Sequence, residues 1–213
     1  MSIAAVTEWT AEASLRFKAR IAGVFYLLNF LTGGVAVFVS ERLVVSGDAA
    51  ATATNILAHE PLFRLGFAAY LFVVASYVAV TALFYELFKP VNRSLSLLAA
   101  FFSLVGCAIG PLSLIHLAPS HINPLVFFGF YCLLIGYLIF RSTFLPRILG
   151  VLMAIAGLGW LTFLSPPLAN HLSPYNLAPG ILGEGLLTLW LLAIGVNEQR
   201  WKEQASAAAE RRS

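Results

Sequence analysis

The sequence predicts an all-α polytopic membrane protein: a bundle of six transmembrane helices with a short amphipathic helix in the first outer loop. Three observations carry this. Of 213 residues, 60% are hydrophobic and only 11% charged, with a mean hydropathy of +0.86, whereas soluble domains carry about a quarter charged residues. Six stretches stay apolar over the ~20 residues a helix needs to cross ~30 Å of hydrocarbon. These runs are continuous and lack the period of two that a barrel requires, and lipid offers no partner to an unpaired backbone amide, so helices are required.

Taken in order, residues 1–19 form a cytoplasmic segment with two glutamates and no short apolar core leading to a small-residue cleavage site. The first span, Ile21–Val39, is therefore expected to act as its own uncleaved signal. The loop "VVSGDAAATATNILAHEP" starts a helix at Ser46, Gly47 and Asp48, where Asp48 caps the new amides. Ile56 and Leu57 give that helix a narrow apolar stripe for the bilayer surface or the bundle top, and Pro61 opens the second span, Leu62–Phe88. At its inner end Glu86 sits beside Lys89, an interfacial pair. The turn "KPVNRS" leads to the third span, Leu95–Leu117, where Gly106 and Gly110 form a GxxxG spacing and Pro111 removes a backbone hydrogen bond, so a close helix contact and a kink are expected. The fourth span, Ile122–Phe140, and the fifth, Ile148–Leu164, flank a second tight inner turn, "RSTFLPR". The proline-rich "SPPLANHLSPYNLAP" is expected to be an irregular outer loop before the sixth span, Leu177–Val196. The chain thus divides into residues 1–19, a transmembrane domain over 20–197 and a cytoplasmic tail over 198–213, read most simply as solvated, with Trp201 near the headgroups.

Of the 13 Lys and Arg, only Arg42 and Arg64 fall toward the outer side once the N-terminus is placed inside. The others occur singly or in pairs in the inner segments. This asymmetry puts both termini in the cytoplasm of a bacterial plasma membrane. It is not the clustered footprint of a nucleic-acid binder, so the expected partners are the lipid bilayer and a small-molecule or lipid ligand, with no nucleic acid. Cys107 and Cys132 lie in separate apolar runs without metal-ligand spacing and read as small core residues. No cofactor is expected.

One residue stands out. Glu184 lies about seven residues into the sixth span, roughly 10 Å below the outer surface, where a charged side chain costs on the order of 2.5–3.5 kcal/mol. It must be protonated, paired or in contact with water, and each option turns it toward the bundle interior. Arg64, near the outer end of the second span, is the expected partner, with Asn29 donating from the middle of the first span and His116 as a second donor. The opposing reading has Arg64 snorkel to the headgroups while Glu184 bonds to backbone. All four histidines, His59, His116, His121 and His171, fall on the outer side; their spacing matches no metal motif, and His116 and His121 are the first candidates if a metal binds. Tyr26, Tyr70, Tyr77 and Tyr85 read as packing and interface residues.

Five segments, "RIAGVFYLLN", "SGDAAATATNILAHEPLFRLGF", "VNRSLSLLAAFF", "FFGFYCLLIGYLIFRSTFLPRILGVLMAIAG" and "LGEGLLTLWLL", together resemble the bacterial membrane proteins grouped as domain of unknown function 4386, over most of residues 18–197. The resemblance implies a multi-span plasma-membrane protein and carries over no catalytic residue. It departs at "HLAPSHINP", which is short here, so an outer feature built from that segment in relatives is expected to be missing.

No P-loop, GxSxG, HExxH or dinucleotide fingerprint is present, and the loops are too short for a separate catalytic domain. Three readings follow. The first is a non-enzymatic bundle binding a small or lipid-like ligand in an outward-facing polar pocket of Arg64, Glu184, Asn29 and His116. The second is a proton- or ion-coupled carrier that titrates Glu184. The third is an intramembrane enzyme, metal or haem protein using the outer histidines.

Overall fold

The apolar runs fold as helices along nearly their whole length. The computed structural model describes residues 14–45, 47–114 and 123–211, and among these it holds nine α-helices and no strand. They are α1 (Ser14–Leu43), α2 (Ala49–Ala58), α3 (Glu60–Phe88), α4 (Arg93–Leu114), α5 (Leu125–Arg141), α6 (Arg147–Leu161), α7 (Pro166–Leu172), α8 (Ala178–Ala193) and α9 (Glu198–Glu210). With the 3₁₀ turns Thr162–Leu164 and Tyr175–Leu177 added to α6 and α8, five helices are long and apolar enough to cross a membrane. The sixth, α5, is a shorter apolar helix of 17 residues.

The six long helices pack as a ring in chain order: α1 on α3, α3 on α4, α4 on α5, α5 on α6, α6 on α8, and α8 back on α1. The short turns after α3 and α5 make those helices antiparallel to the ones that follow them. Tyr26, Phe84, Phe88, Ile135, Leu138, Ile139, Met153, Leu187 and Leu191 fill the interior. Leu31, Phe72, Leu158 and Leu189 point outward and are exposed, as a bundle solvated by lipid requires. Between α3 and α4 the buried hydroxyls of Thr81 and Ser103 bond at 2.5 Å, and Ser96 donates to the Tyr85 carbonyl at 3.2 Å. Such bonds hold helices together where no hydrophobic drive exists between them.

Helices α5 and α6 approach each other closely at glycines. Gly129 and Gly136 are seven residues apart on α5, as are Gly150 and Gly157 on α6. In the antiparallel pair Gly136 faces Gly150 and Gly129 faces Gly157: a methyl group on Gly150 would stand 2.6 Å from the Gly136 carbonyl oxygen, and one on Gly157 2.8 Å from that of Gly129. The backbones themselves touch. The GxxxG pair on α4 serves a different purpose, since Gly106 makes room for the Phe128 ring of α5 and Gly110 for the Tyr70 hydroxyl of α3. Helix α4 continues through Pro111 to Leu114.

Three expectations about connections meet the structure differently. The first outer helix forms as anticipated: Asp48 Oδ1 accepts from the Ala51 amide at 2.8 Å and α3 opens with Pro61 in its first turn, while Ser46 lies outside the described residues. The proline-rich segment is not irregular. Pro166 and Pro167 open α7, where a missing N–H removes no helical bond, and 3₁₀ turns flank it.

The solvated tail is also corrected. Gly195 takes φ +76°, a left-handed turn that glycine adopts without strain, and α9 folds back onto the bundle. Asn197 Oδ1 caps it by accepting from the Arg200 amide at 3.1 Å. The Trp201 indole N–H donates to the Leu87 carbonyl at 2.8 Å, one of the carbonyls left open where α3 ends. Gln204 Oε1 accepts from the backbone and hydroxyl of Thr143 at 3.0 and 3.1 Å, and Glu198 accepts from the Arg16 amide at 3.0 Å. Trp201→Phe removes the bond to Leu87, worth about 0.5–1.5 kcal/mol. Faster amide exchange over residues 198–210, with α1 to α8 unchanged, is the expected outcome; unchanged exchange would show that Thr143 and Glu198 suffice to hold α9.

Candidate functional site

Glu184 lies on the inward face of α8, between Gly183 and Gly185, and is 6% exposed. Gly183 brings α8 against α6, where a side chain would meet the Leu152 carbonyl and the Ala156 methyl, so the helix presents its carboxyl to the ring interior at short range. Three donors aim at its two oxygens. The Trp160 indole N–H from α6 donates to Oε1 at 2.8 Å, the Cys132 thiol from α5 to the same oxygen at 3.6 Å, and the Tyr77 hydroxyl from α3 to Oε2 at 3.1 Å. Tyr77 gives its proton to Glu184 and accepts from the Tyr26 hydroxyl of α1 at 3.5 Å. Counted from the basic ends of their helices, all five groups lie about 14–20 Å deep. Three ring helices therefore bond directly to one carboxyl of α8 near mid-bundle, and α1 joins through the Tyr26–Tyr77 bond, so five of the six meet at this node.

Aromatic rings wall this node. Tyr77 packs against Phe128 with centroids 4.5 Å apart, against Tyr26 at 5.7 Å and against Tyr131 at 5.8 Å. Among the described residues two buried side-chain oxygens lack a hydrogen-bond partner: the Tyr131 hydroxyl, which lies beside Tyr26, and the amide oxygen of Asn29, one turn along α1 from Tyr26. Below the carboxyl, Thr188 donates to the Glu184 carbonyl at 2.7 Å and so keeps its hydroxyl proton from being stranded.

The expected cationic partner is elsewhere. Arg64 pairs with Glu60 one turn away on α3, at 2.6 Å, and both side chains are exposed. Arginine on that outer turn finds a carboxylate at i−4 in high dielectric, and reaching Glu184 would forfeit that pair and bury the guanidinium. The other ion pairs among the described residues, Arg16 with Glu198 and Lys89 with Glu86, also lie at helix ends, the second as anticipated. His116 and His121 lie outside the described residues; His171 is exposed on α7, and His59 Nδ1 sits 3.1 Å from the Asn55 carbonyl. Among the described residues no group of three His, Cys, Asp or Glu is placed to hold a metal ion.

Sequence reasoning thus turned the carboxyl of Glu184 inward, but Asn29, the expected donor, is not among its hydrogen-bond partners, and Trp160, Tyr77, Tyr26 and Cys132 were missed. The signal was depth: a hydroxyl, indole or thiol near the middle of a span needs an acceptor there, and Glu184 is the acceptor at that level. A separate open groove of about 830 Å³ lies between the start of α1 and α9, lined by Arg16, Asn197, Glu198 and Lys202. It is a product of α9 folding back and has no part in the node.

Comparison with known proteins adds the family frame. The family model "Domain of unknown function (DUF4386)" matches residues 21–122 and 112–195. An uncharacterized protein of Archaeoglobus fulgidus is 32% identical over 127 residues, covering 55% of this chain and 76% of the relative. No solved structure matches.

Proposed function

The chain belongs to the family of domain of unknown function 4386, and we propose that it works there as a non-enzymatic plasma-membrane protein that binds a small or lipid-like ligand at Glu184. One observation carries the reading: side chains from α1, α3, α5 and α6 converge on a carboxyl of α8 that has no cationic partner among the described residues. An ionisable residue inside a membrane bundle is costly and marks a binding site or a proton pathway. A bundle needing only cohesion has cheaper means, as the Thr81–Ser103 pair and the glycine seam illustrate. Of the carboxyl's three donors, Tyr77 and Cys132 are buried and Trp160 is half-buried near the end of α6, so a ligand enters past Trp160. The excess of Lys and Arg at the opposite end supports reading that entry as the outer side and both termini as cytoplasmic.

A proton-coupled carrier is the second reading. The run of hydroxyls from Glu184 through Tyr77 to Tyr26 favours it, since each can pass a proton to the next. Native mass spectrometry with metal analysis, on protein gently extracted from its own membrane, tests the first reading without a guess at the ligand. A defined adduct is expected in the wild type and in Arg64→Ala, whose exposed pair is worth about 0–1 kcal/mol, and its loss is expected in Glu184→Gln. An adduct that survives Glu184→Gln would refute binding at the carboxyl. A wild type without adduct, whose proton uptake in vesicles disappears in Glu184→Gln, would decide for the carrier.

A further inference from the structure

Resting on the reading of Glu184 as a binding site, we infer that its ligand is an organic cation bearing N–H groups, a protonated amine. Three independent features of the node select this chemistry. The first is charge: among the described residues the carboxyl of Glu184 is the only acidic side chain in the node, every group bonded to it is neutral, and no lysine or arginine pairs with it. An anionic ligand would meet repulsion without a compensating partner, whereas a cation supplies the missing counter-charge in a medium that screens little. The second is the wall. Tyr26, Tyr77, Tyr131, Phe128 and Trp160 surround the carboxyl with ring systems, and aromatic faces attract ammonium groups most strongly when both are desolvated.

The third feature is the pattern of unmet hydrogen bonds. Among the described residues both unpartnered buried side-chain N or O atoms are oxygens: the hydroxyl of Tyr131, itself 1% exposed, and the amide oxygen of Asn29. The Asn29 oxygen is an acceptor lacking a donor, and the Tyr131 hydroxyl, which can donate or accept, is open to a donor as well. A buried acceptor without a donor costs free energy that a ligand N–H recovers, and an ammonium group offers several N–H donors to a carboxylate and neighbouring oxygens at once. A neutral apolar ligand would satisfy neither the oxygens nor the carboxyl. The node is closed in this structure, and the indole of Trp160 covers it by lying against Gly180, where any side chain on α8 would collide with the ring. Trp160 must swing away from Gly180 as the amine enters, and the ammonium group then takes over part of the hydrogen bonding that the indole gives Oε1.

The test uses four short probes that share one alkyl chain, titrated by calorimetry against the full-length protein in nanodiscs at neutral pH: n-butylammonium, n-butyltrimethylammonium, butyrate and n-butanol. Butylammonium is expected to bind, with affinity falling about tenfold or more in Glu184→Gln. Tyr131→Phe removes only an unpartnered oxygen, so it keeps the fold, and it is expected to weaken butylammonium while leaving the trimethylated probe, which has no N–H, unchanged. Should Glu184→Gln fail to fold, Tyr131→Phe decides alone. Butyrate or butanol binding as well as butylammonium, and lost in Glu184→Gln, would overturn the cation assignment while keeping the carboxyl as a binding site. Probes that bind equally to wild type and Glu184→Gln, or none that bind the wild type, would overturn the assignment, and the native adduct then decides whether the site reading also falls.

Discussion

Replacing Gly150 by leucine is expected to part α5 from α6 and lower stability by about 3 kcal/mol or more, read as a drop in melting temperature or in resistance to denaturing detergent. The estimate follows from what the new side chain meets. A Cβ at Gly150 stands 2.6 Å from the Gly136 carbonyl oxygen and 2.8 Å from the Phe140 amide nitrogen, and both are backbone atoms of α5. A flexible side chain could turn aside; these cannot without moving the whole helix. Within a bilayer the loss is not offset by hydrophobic burial elsewhere, since lipid solvates apolar side chains as well as a protein interior does, and contact itself holds the helices together. Gly136→Leu is expected to behave alike, because its Cβ would meet the Gly150 oxygen at 2.7 Å. Gly185→Ala is the control. Nothing lies within 4 Å of a methyl group there, so it is expected to be neutral or to stabilise by up to about 1 kcal/mol through better helix propensity. Equal effects at positions 150 and 185 would mean that the seam is not the contact that secures the hairpin.

That seam was legible and went unread. "GFYCLLIG" and "GVLMAIAG" each carry glycine at both ends of an eight-residue stretch, and a tight antiparallel turn between them sets the glycines face to face. GxxxG at Gly106 and Gly110 has the spacing that is the familiar sign of helix contact, but its clefts are filled by aromatic side chains. Spacing alone says that a surface is concave and leaves open what enters it.

The helical class and the number of apolar runs followed from length and hydropathy, because lipid leaves a spanning chain so few alternatives; the ends did not, since α1 runs Ser14–Leu43 against the expected Ile21–Val39, and the expected ends at Leu117 and Ile122 lie outside the described residues. The order of packing did not, since lipid-facing and core-facing positions are equally apolar and no amphipathic stripe distinguishes them; Leu158 and Leu187 read alike, yet the first is exposed and the second fully buried. For the same reason the partners of Glu184 were chosen by charge. Arg64 was the attractive choice electrostatically, but Glu60 four residues before it offers the same charge at the surface without desolvation. The tail was misjudged because its docking depends on Leu87 and Thr143, contacts distant in sequence that no local pattern announces.

Glu184→Leu carries the second large expected effect, a loss of about 2–5 kcal/mol, because it strands the indole N–H of Trp160 and the hydroxyl of Tyr77 in a closed interior at about 1–3 kcal/mol each. Glu184→Gln keeps an oxygen for one of them and is expected to cost clearly less. The informative comparison joins the substitutions. With Trp160→Phe and Tyr77→Phe added, Glu184→Leu no longer leaves those donors without an acceptor, and much of the lost stability is expected to return, a coupling that separates stranded donors from the carboxyl's own contribution. Replacing a buried polar cluster by apolar groups of similar size is often neutral or stabilising, so the triple variant is expected to match or exceed the wild type in melting temperature. If it does so and has lost the native adduct, the carboxyl serves binding and the fold merely accommodates it. A triple variant as unstable as Glu184→Leu alone would show instead that the five-helix convergence on Glu184 is a structural keystone, and the case for a ligand would have to rest on the adduct alone.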